Sequence, residues 1–357
     1  MCVSHLWGAV DKTELEERVR HGEVVAEVDL SGRDLGGASL AGGIFDRVSF
    51  TDSWFEGADL HEAMFTSCDF SGSRLDRANL RHAALDKCIL KKATAVGACF
   101  IGAKLIDADC SALELREADL TLAAFIKGSL REAVLSGATI DRTTFLELDL
   151  ESTDFSGTSS INSVFYKADL RASKLEQAAF ERVVFTGSSF AGMSLRGQRF
   201  PLCQFGDSDM SNADLRDADL TQANFKGANL EGANLSGAKL TRALFVEARL
   251  GLAALVGADL VQSIFAEVRA PGADFSKANA YQCNFKRAEL AGARFNGAEL
   301  SFVDFSYADL SNCDMRGATL MRAQLHRSNQ SGALFDSGRL AAFSHDAELE
   351  EAEQFRS

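Results

Sequence analysis

The amino-acid sequence predicts an all-β solenoid, and three observations carry that prediction. Every residue whose number is a multiple of five, from Leu30 to Leu340, falls at the same position of a five-residue repeat, giving 63 units without insertion or deletion. That central position is Leu, Phe, Met or Ile in 57 units, the exceptions being Ala95, Cys110, Ser160, Ala270, Ala280 and Gln330. Two residues before the centre sits a small residue, usually alanine, as in Ala213-Asp214-Leu215 and Ala218-Asp219-Leu220. Sorting the centres by a period of twenty puts 12 of the 23 central phenylalanines in one column. That column holds an unbroken run: Phe125, Phe145, Phe165, Phe185, Phe205, Phe225, Phe245, Phe265, Phe285 and Phe305. Self-similarity at a fixed period means units that bury their apolar sides only by stacking on neighbours. Four units therefore make one coil, and residues twenty apart stack.

The remaining elements follow in chain order. Residues 1–24 do not fit the repeat and are expected to form an N-terminal helical cap. Thr13-Glu14-Leu15-Glu16 reads as a capping box that starts a short helix through His21, with Gly22 as its stop. Trp7, Val10, Leu15 and Val19 are expected to cover the open first coil. Residues 25–340 form the repeat body of about sixteen coils, twenty residues to each. Of the 29 glycines, 21 lie two residues past a centre, where a corner needs positive φ. Pro201 and Pro271 also sit at corners, where a missing N–H is easiest to tolerate. Residues 341–357 read as an acidic C-terminal helical cap or tail, with Leu349, Ala352 and Phe355 on one side. A solenoid needs covers because its last coil otherwise offers open backbone edges and core side chains.

The unit pattern resembles the pentapeptide-repeat family, whose consensus is A(D/N)LXX. Ala228-Asn229-Leu230-Glu231-Gly232-Ala233-Asn234-Leu235-Ser236-Gly237 is close to it. The resemblance implies a right-handed quadrilateral β-helix, and it says little about function. The opening Glu14-Leu15-Glu16-Glu17-Arg18-Val19-Arg20-His21-Gly22-Glu23, followed by Asp29-Leu30-Ser31-Gly32, is similar to pentapeptide proteins encoded among type VI secretion cargo-loading genes. That similarity implies an accessory role in cargo loading. Quinolone-resistance members of the family set acidic residues along a comparable rod and bind DNA gyrase in place of duplex DNA. This implies a second function class, a DNA mimic.

The chemistry of the chain points away from catalysis. The histidines lie in the caps or at corners such as His61, His82 and His326, apart from any nucleophile or metal-ligand cluster. Cys68, Cys88, Cys203, Cys283 and Cys313 replace the small residue and Cys110 is itself central, so all six read as buried small hydrophobes. No phosphate loop, dinucleotide fingerprint or zinc spacing occurs. We expect no catalytic residues, no cofactor and no metal. A net charge of −14 argues against direct nucleic-acid binding through a basic surface. Apolar runs are too short for a membrane span, and the N-terminus lacks a basic region followed by an apolar core. A cytoplasmic protein with reduced thiols is the expectation.

The outward surface is uneven. The residue before each centre points outward and is often acidic, as at Asp149, Asp169 and Asp209, which define a candidate acidic face for the DNA-mimic reading. The outward row on the Phe-column side has only Lys104 and Asp304 as charges. Val164, Val184, Leu244 and Ile264 lie in it, with Tyr166 and Val246 one residue past the neighbouring centres. These six are the candidate protein-binding residues, because a contiguous exposed apolar strip marks a protein contact. The partner is a protein, and a second copy of the chain is a candidate for it. The leading reading is a non-catalytic interaction scaffold or adaptor.

Overall fold

A computed structural model describes residues 11–336 together with Ala342, Phe343 and Glu350. The chain packs as two compact units, residues 1–179 and 180–357.

Unit 1 opens with helix α1, Lys12–Arg20. Its N-cap is Asp11, whose carboxylate accepts the N–H of Glu14 at 2.9 Å. Thr13 therefore lies inside the helix, two residues past the cap expected from the sequence. Both Asp11 and Thr13 begin suitable patterns, and the carboxylate adds a favourable charge at the helix N-terminus. His21 closes the helix, and Gly22 follows at φ +72°. Leu15 and Val19 are buried; Trp7 and Val10 lie outside the described residues.

The coils follow immediately. Strands β1 (Val24–Ala26), β2 (Ile44–Asp46), β3 (Met64–Thr66), β4 (Ala84–Asp86), β5 (Lys104–Asp109), β6 (Ala124–Ser129), β8 (Thr144–Leu146) and β10 (Val164–Tyr166) form one parallel sheet in that order. Strands β7 (Thr139–Asp141) and β9 (Ser159–Ile161) pair on another side. Partners are twenty residues apart, as in Phe45↔Phe65 and Phe125↔Phe145. Unit 2 keeps the same register through single bridges such as Asn224↔Leu244 and Leu244↔Ile264.

Each five-residue unit repeats one hydrogen-bond set. Leu230 N–H donates to Arg249 O at 2.7 Å, Gly232 N–H to Gly251 O at 2.9 Å, and Ala233 N–H to Leu230 O at 3.0 Å. The last of these closes a turn whose third residue must take positive φ. Glycine fills that position at Gly232 (φ +67°), but many corners hold other residues with φ between 50° and 64°. The ladder thus imposes a left-handed residue at each corner, and glycine is only the least strained choice.

The core is what the twenty-residue column implies. In unit 1 the rings of Phe125, Phe145 and Phe165 stack at 5.4 and 4.6 Å. In unit 2 the stack runs Phe185, Phe205, Phe225, Phe245, Phe265, Phe285, Phe305, with centroids 4.5–5.3 Å apart. Parallel rings at these spacings bury large apolar areas in offset contact. Alanines such as Ala213 and Ala218 are buried two residues before the centres and leave room for the rings. Where serine or cysteine takes that slot, its side chain caps a carbonyl of the preceding coil. Ser53 Oγ donates to Leu30 O at 2.7 Å, Ser208 Oγ to Phe185 O at 2.7 Å and Cys283 Sγ to Leu260 O at 2.8 Å. Burial pushes the Cys203, Cys283 and Cys313 thiols up to about 12. Cys110 and the Cys68–Cys88 neighbours are buried too.

The register fails in one place. Phe343 pairs with Gln324, nineteen residues away, so the chain comes one residue short between Leu334 and Phe343. The uninterrupted count to Leu340 does not survive here. A terminal strand has a ladder on one side only, so nothing beyond it enforces the period. Leu340 itself, and the proposed C-terminal cap apart from Ala342, Phe343 and Glu350, lie outside the described residues.

Candidate interaction surface

The residue before each centre is outward, and its chemistry is local before it is functional. Aspartate or asparagine there accepts the backbone N–H two residues on, at the corner. Asp149 accepts from Glu151 N–H at 3.0 Å, Asp169 from Arg171 N–H at 3.1 Å and Asp209 from Ser211 N–H at 3.1 Å. These side chains imitate a backbone turn and satisfy a donor that the coil leaves over. Arginine two residues after the aspartate often adds a two-pronged pair. Arg171 meets Asp169 at 2.6 Å, and the same pairing recurs at Arg216–Asp214 and Arg316–Asp314. The Arg171 hydrogen bonds and charge hold the Asp169 carboxyl below the usual carboxylate range.

The three residues of the acidic candidate face are therefore not equivalent. Asp149 and Asp169 line one cleft of about 370 Å³ with Leu148, Leu150, Glu151, Arg171 and Ala172. Asp209 belongs to unit 2, where it also accepts from Asn229 Nδ2 at 2.9 Å. The cleft has a core origin. Leu148 occupies the small-residue slot that Ala108 and Ala168 fill as buried residues, and a leucine exceeds it. It stays half-buried. The coil before it carries Gly128 (φ +87°), where a Cβ would lie 2.1 Å from Ala108 O. A leucine at a slot otherwise held by alanine, serine or cysteine was the sequence signal for this irregularity.

The six apolar candidates are all half-buried rather than exposed. Each is flanked along the sheet by its counterparts in adjacent coils, which remove much of its surface from water. Val164 pairs with Thr144 and Tyr166 with Leu146, and Lys167 Nζ lies 5.1 Å from the Tyr166 ring centre. Along that row Ile106, Ile126 and Leu146 stack in register on β5, β6 and β8. Four apolar side chains thus stand side by side with Val164 adjacent. In unit 2 the row breaks. Val184 pairs with Gln204, and Asn224 donates to Gln204 Oε1 at 3.0 Å, so amides separate Val184 from the Leu244–Ile264 pair. Val246 flanks Leu244 one residue past the centre.

The most exposed large apolar residues lie mostly elsewhere. Leu252 is 78% exposed at a corner, and Trp54 is 52% exposed with the Arg74 guanidinium 5.2 Å from its ring. Both break the local rule for their position, a polar or glycine corner in one case and a small or polar outward residue in the other. Among the described residues no His, Cys, Asp and Glu group could hold a metal ion. No described helix is long and apolar enough to cross a membrane.

Comparison with known proteins agrees with this geometry. The family profile described as pentapeptide repeats (eight copies) matches residues 26–61, 44–81, 73–111, 118–157, 163–197, 203–245, 243–279, 272–301, 283–322 and 298–336. No curated protein matches the sequence significantly. Among solved structures, a pentapeptide repeat protein of the Arabidopsis thaliana thylakoid lumen is 36% identical over 26% of this chain, with a TM-score of 0.26. The match spans only 65% of that protein's length. HetL, involved in heterocyst differentiation regulation in the cyanobacterium Nostoc sp. strain PCC 7120, is 25% identical, covering 84% of this chain and 97% of HetL, with a TM-score of 0.24. QnrB1, a plasmid-mediated fluoroquinolone resistance protein, is 18% identical over 64% of this chain and 99% of its own, with a TM-score of 0.35. With its profile matches spread along almost the whole repeat body and the five-residue hydrogen-bond set recurring in each unit, this chain belongs to the pentapeptide-repeat family.

Proposed function

We propose that the protein is a non-catalytic interaction scaffold that docks a protein partner along the apolar row of its first unit. One observation carries this reading: Ile106, Ile126, Leu146 and Tyr166 are in register on four neighbouring strands, with Val164 beside them. Their inward neighbours Leu105, Phe125, Phe145 and Phe165 already fill the core, so the row is surplus to packing. A flat strip of half-buried apolar side chains with Tyr at one end is the kind of surface that protein contacts use. Leu244, Val246 and Ile264 offer a shorter patch of the same chemistry in unit 2. Short helix α1 leading straight into β1 supports an accessory role in type VI cargo loading, and the buried thiols suit a reducing cytoplasm. A second copy of the chain fits the same strip.

The DNA-mimic alternative is less favoured, because Asp149, Asp169 and Asp209 are already engaged at corners and Asp169 is paired with Arg171. The two readings separate in a pull-down from native lysate, run beside a gyrase supercoiling assay. Ile126→Asp with Leu146→Asp and Val164→Asp is expected to abolish partner capture with a melting temperature close to wild type. Asp149→Lys with Asp169→Lys and Asp209→Lys is expected to leave capture intact. Capture that survives the apolar triple and fails with the acidic triple, or gyrase inhibition lost with the acidic triple, overturns the scaffold reading.

A further inference from the structure

We infer that the acidic segment 344–357 folds back in cis across the outer side of the coil around Phe305, and that this side is a docking surface for an acidic amphipathic helix. The inference starts from an anomaly of burial. The residue just past a centre is the first corner residue, and along residues 31–336 it is half-buried or exposed everywhere except at Ser301, Ser306 and His326. Those three are 3%, 1% and 2% exposed. Small size does not explain the serines. Ser71, Ser111, Ser156, Ser211, Ser276 and Ser311 hold the same corner position, and each remains half-buried. Ser301 and Ser306 stand at the two corners of one side, and His326 is one coil further on above Ser306. Met321, above Ser301, is 49% exposed. Whatever covers the three residues therefore crosses the side obliquely, from Ser301 to His326.

The surface beneath has a defined chemistry. Tyr281 and Phe302 meet edge to face at 5.5 Å, with the Arg322 guanidinium 5.7 Å from the Phe302 ring. At the other corner Tyr307 meets His326 at 5.6 Å, with Lys286 and Arg287 5.8 and 5.7 Å from the Tyr307 ring. Aromatic faces with cations over them are thus present at both corners, on a chain whose net charge is −14.

The chain supplies a matching occupant at the right place. Phe343 pairs with Gln324 on this same side, so the residues that follow start there. Residues 344–357 carry Asp346, Glu348, Glu350, Glu351 and Glu353 against Arg356. Leu349, Ala352 and Phe355, three apart, form one apolar stripe on a helix. Glu350 is helical and half-buried. A helix of this length reaches about 20 Å at ~1.5 Å per residue, enough to cross one side of five extended residues, about 16 Å. The stripe meets Phe302 and Tyr307 while the carboxylates face Lys286, Arg287 and Arg322.

The full-length chain tests this by diethyl pyrocarbonate modification, with His326 followed by peptide mapping against His61, whose side chain is 43% exposed. In wild type, His326 is expected to react about tenfold or more slowly than His61, the behaviour of a site that reacts only on local opening. In Leu349→Asp with Phe355→Asp it should react as fast as His61. Unchanged protection in that double variant overturns the proposal. Protection in wild type that falls on dilution overturns it as well, because a second copy is then the cover. A second variant guards against simple fraying of the end coil. Ser306→Trp leaves the segment intact and fills its seat, so glutamyl endopeptidase should cut at Glu348 to Glu353 about tenfold faster than in wild type. Equal cutting rates overturn the proposal.

Discussion

Two stretches of the solenoid, Thr143–Ser173 in unit 1 and Ala223–Phe265 in unit 2, share a backbone and differ in what fills it. The first buries Thr143, Thr153, Thr158, Ser160, Ser163 and Ser173; the second buries Ala, Leu and Phe with Ser263 alone among hydroxyls. Both keep the twenty-residue step, through Thr139↔Ser159 in one and Asn224↔Leu244 in the other. Inter-coil bonds are similar too: Phe155 N–H to Lys174 O at 2.9 Å and Phe245 N–H to Ile264 O at 2.7 Å. Register is thus set by corners and ladders, which both stretches share. The core sets how firmly a coil is held. Most hydroxyls of the first stretch escape a penalty by capping carbonyls, as Thr143 Oγ1 does at Leu120 O (2.7 Å) and Thr153 Oγ1 at Leu130 O (2.8 Å). Ser160 Oγ, at a centre, is buried with no partner.

The largest effect is expected in the aromatic stretch. Phe225 lies between the rings of Phe205 and Phe245 at 5.2 and 4.8 Å. Phe225→Ala removes both stacks and leaves a cavity that rigid coils cannot close, so a loss of about 3–5 kcal/mol is expected in chemical denaturation. A loss under about 1 kcal/mol, the scale of a surface change, would show that the ladder contributes no more than scattered leucines do.

The comparison sharpens at Ser160, where the sign reverses. Ser160→Ala removes the buried hydroxyl and keeps the backbone pairing with Ile140. Alanine is already tolerated at the buried centres Ala270 and Ala280. Deleting an unsatisfied buried hydroxyl is expected to stabilise by about 1 kcal/mol. Amide exchange between Thr158 and Ser163, faster in wild type than between Ala223 and Ala228, should slow in the variant. Equal exchange of the two stretches in wild type would mean that the core does not grade local stability.

Much of this was legible in the sequence because the physical demands recur at fixed spacing. Phe125 to Phe305 read as a column since a solenoid stacks like on like. Cys203 and Cys283 read as core because they hold alanine's slot. Legibility ended where a residue's state depends on neighbours in other coils. Val164 and Tyr166 were legible as outward, but their half-burial comes from Thr144 and Leu146, two elements of the coil before. Trp54 and Leu252 were visible as rule-breakers only once the exposure of their positions was known. Asp149, Asp169 and Asp209 looked like a charged face, whereas the bond each makes to its own corner is a matter of side-chain rotamer. The nineteen-residue step to Phe343 had no signal, since Leu340 fits the period.

The smallest expected effect concerns those corner aspartates. Asp214 accepts Arg216 N–H at 3.2 Å and pairs with the Arg216 guanidinium at 2.6 Å. Hydrogen bonding to Arg216 holds its carboxyl below the usual range. A folded-state pKa below the unfolded value of about 3.9 means a contribution that is complete above that pH and lost as pH falls through the folded value. Asp169 and Asp314 share this arrangement and direction. Asparagine keeps the acceptor for the corner N–H and loses the charge. Asp214→Asn should therefore cost only a few tenths of a kcal/mol at pH 7, the scale of an exposed ion pair. It should cost nothing below about pH 3, where the wild-type carboxylate is itself being neutralised. Denaturation curves for the two proteins should converge on acidification. A gap that persists at pH 3 would assign Asp214's role to side-chain geometry, making the acidic surface of this family a by-product of turn chemistry alone.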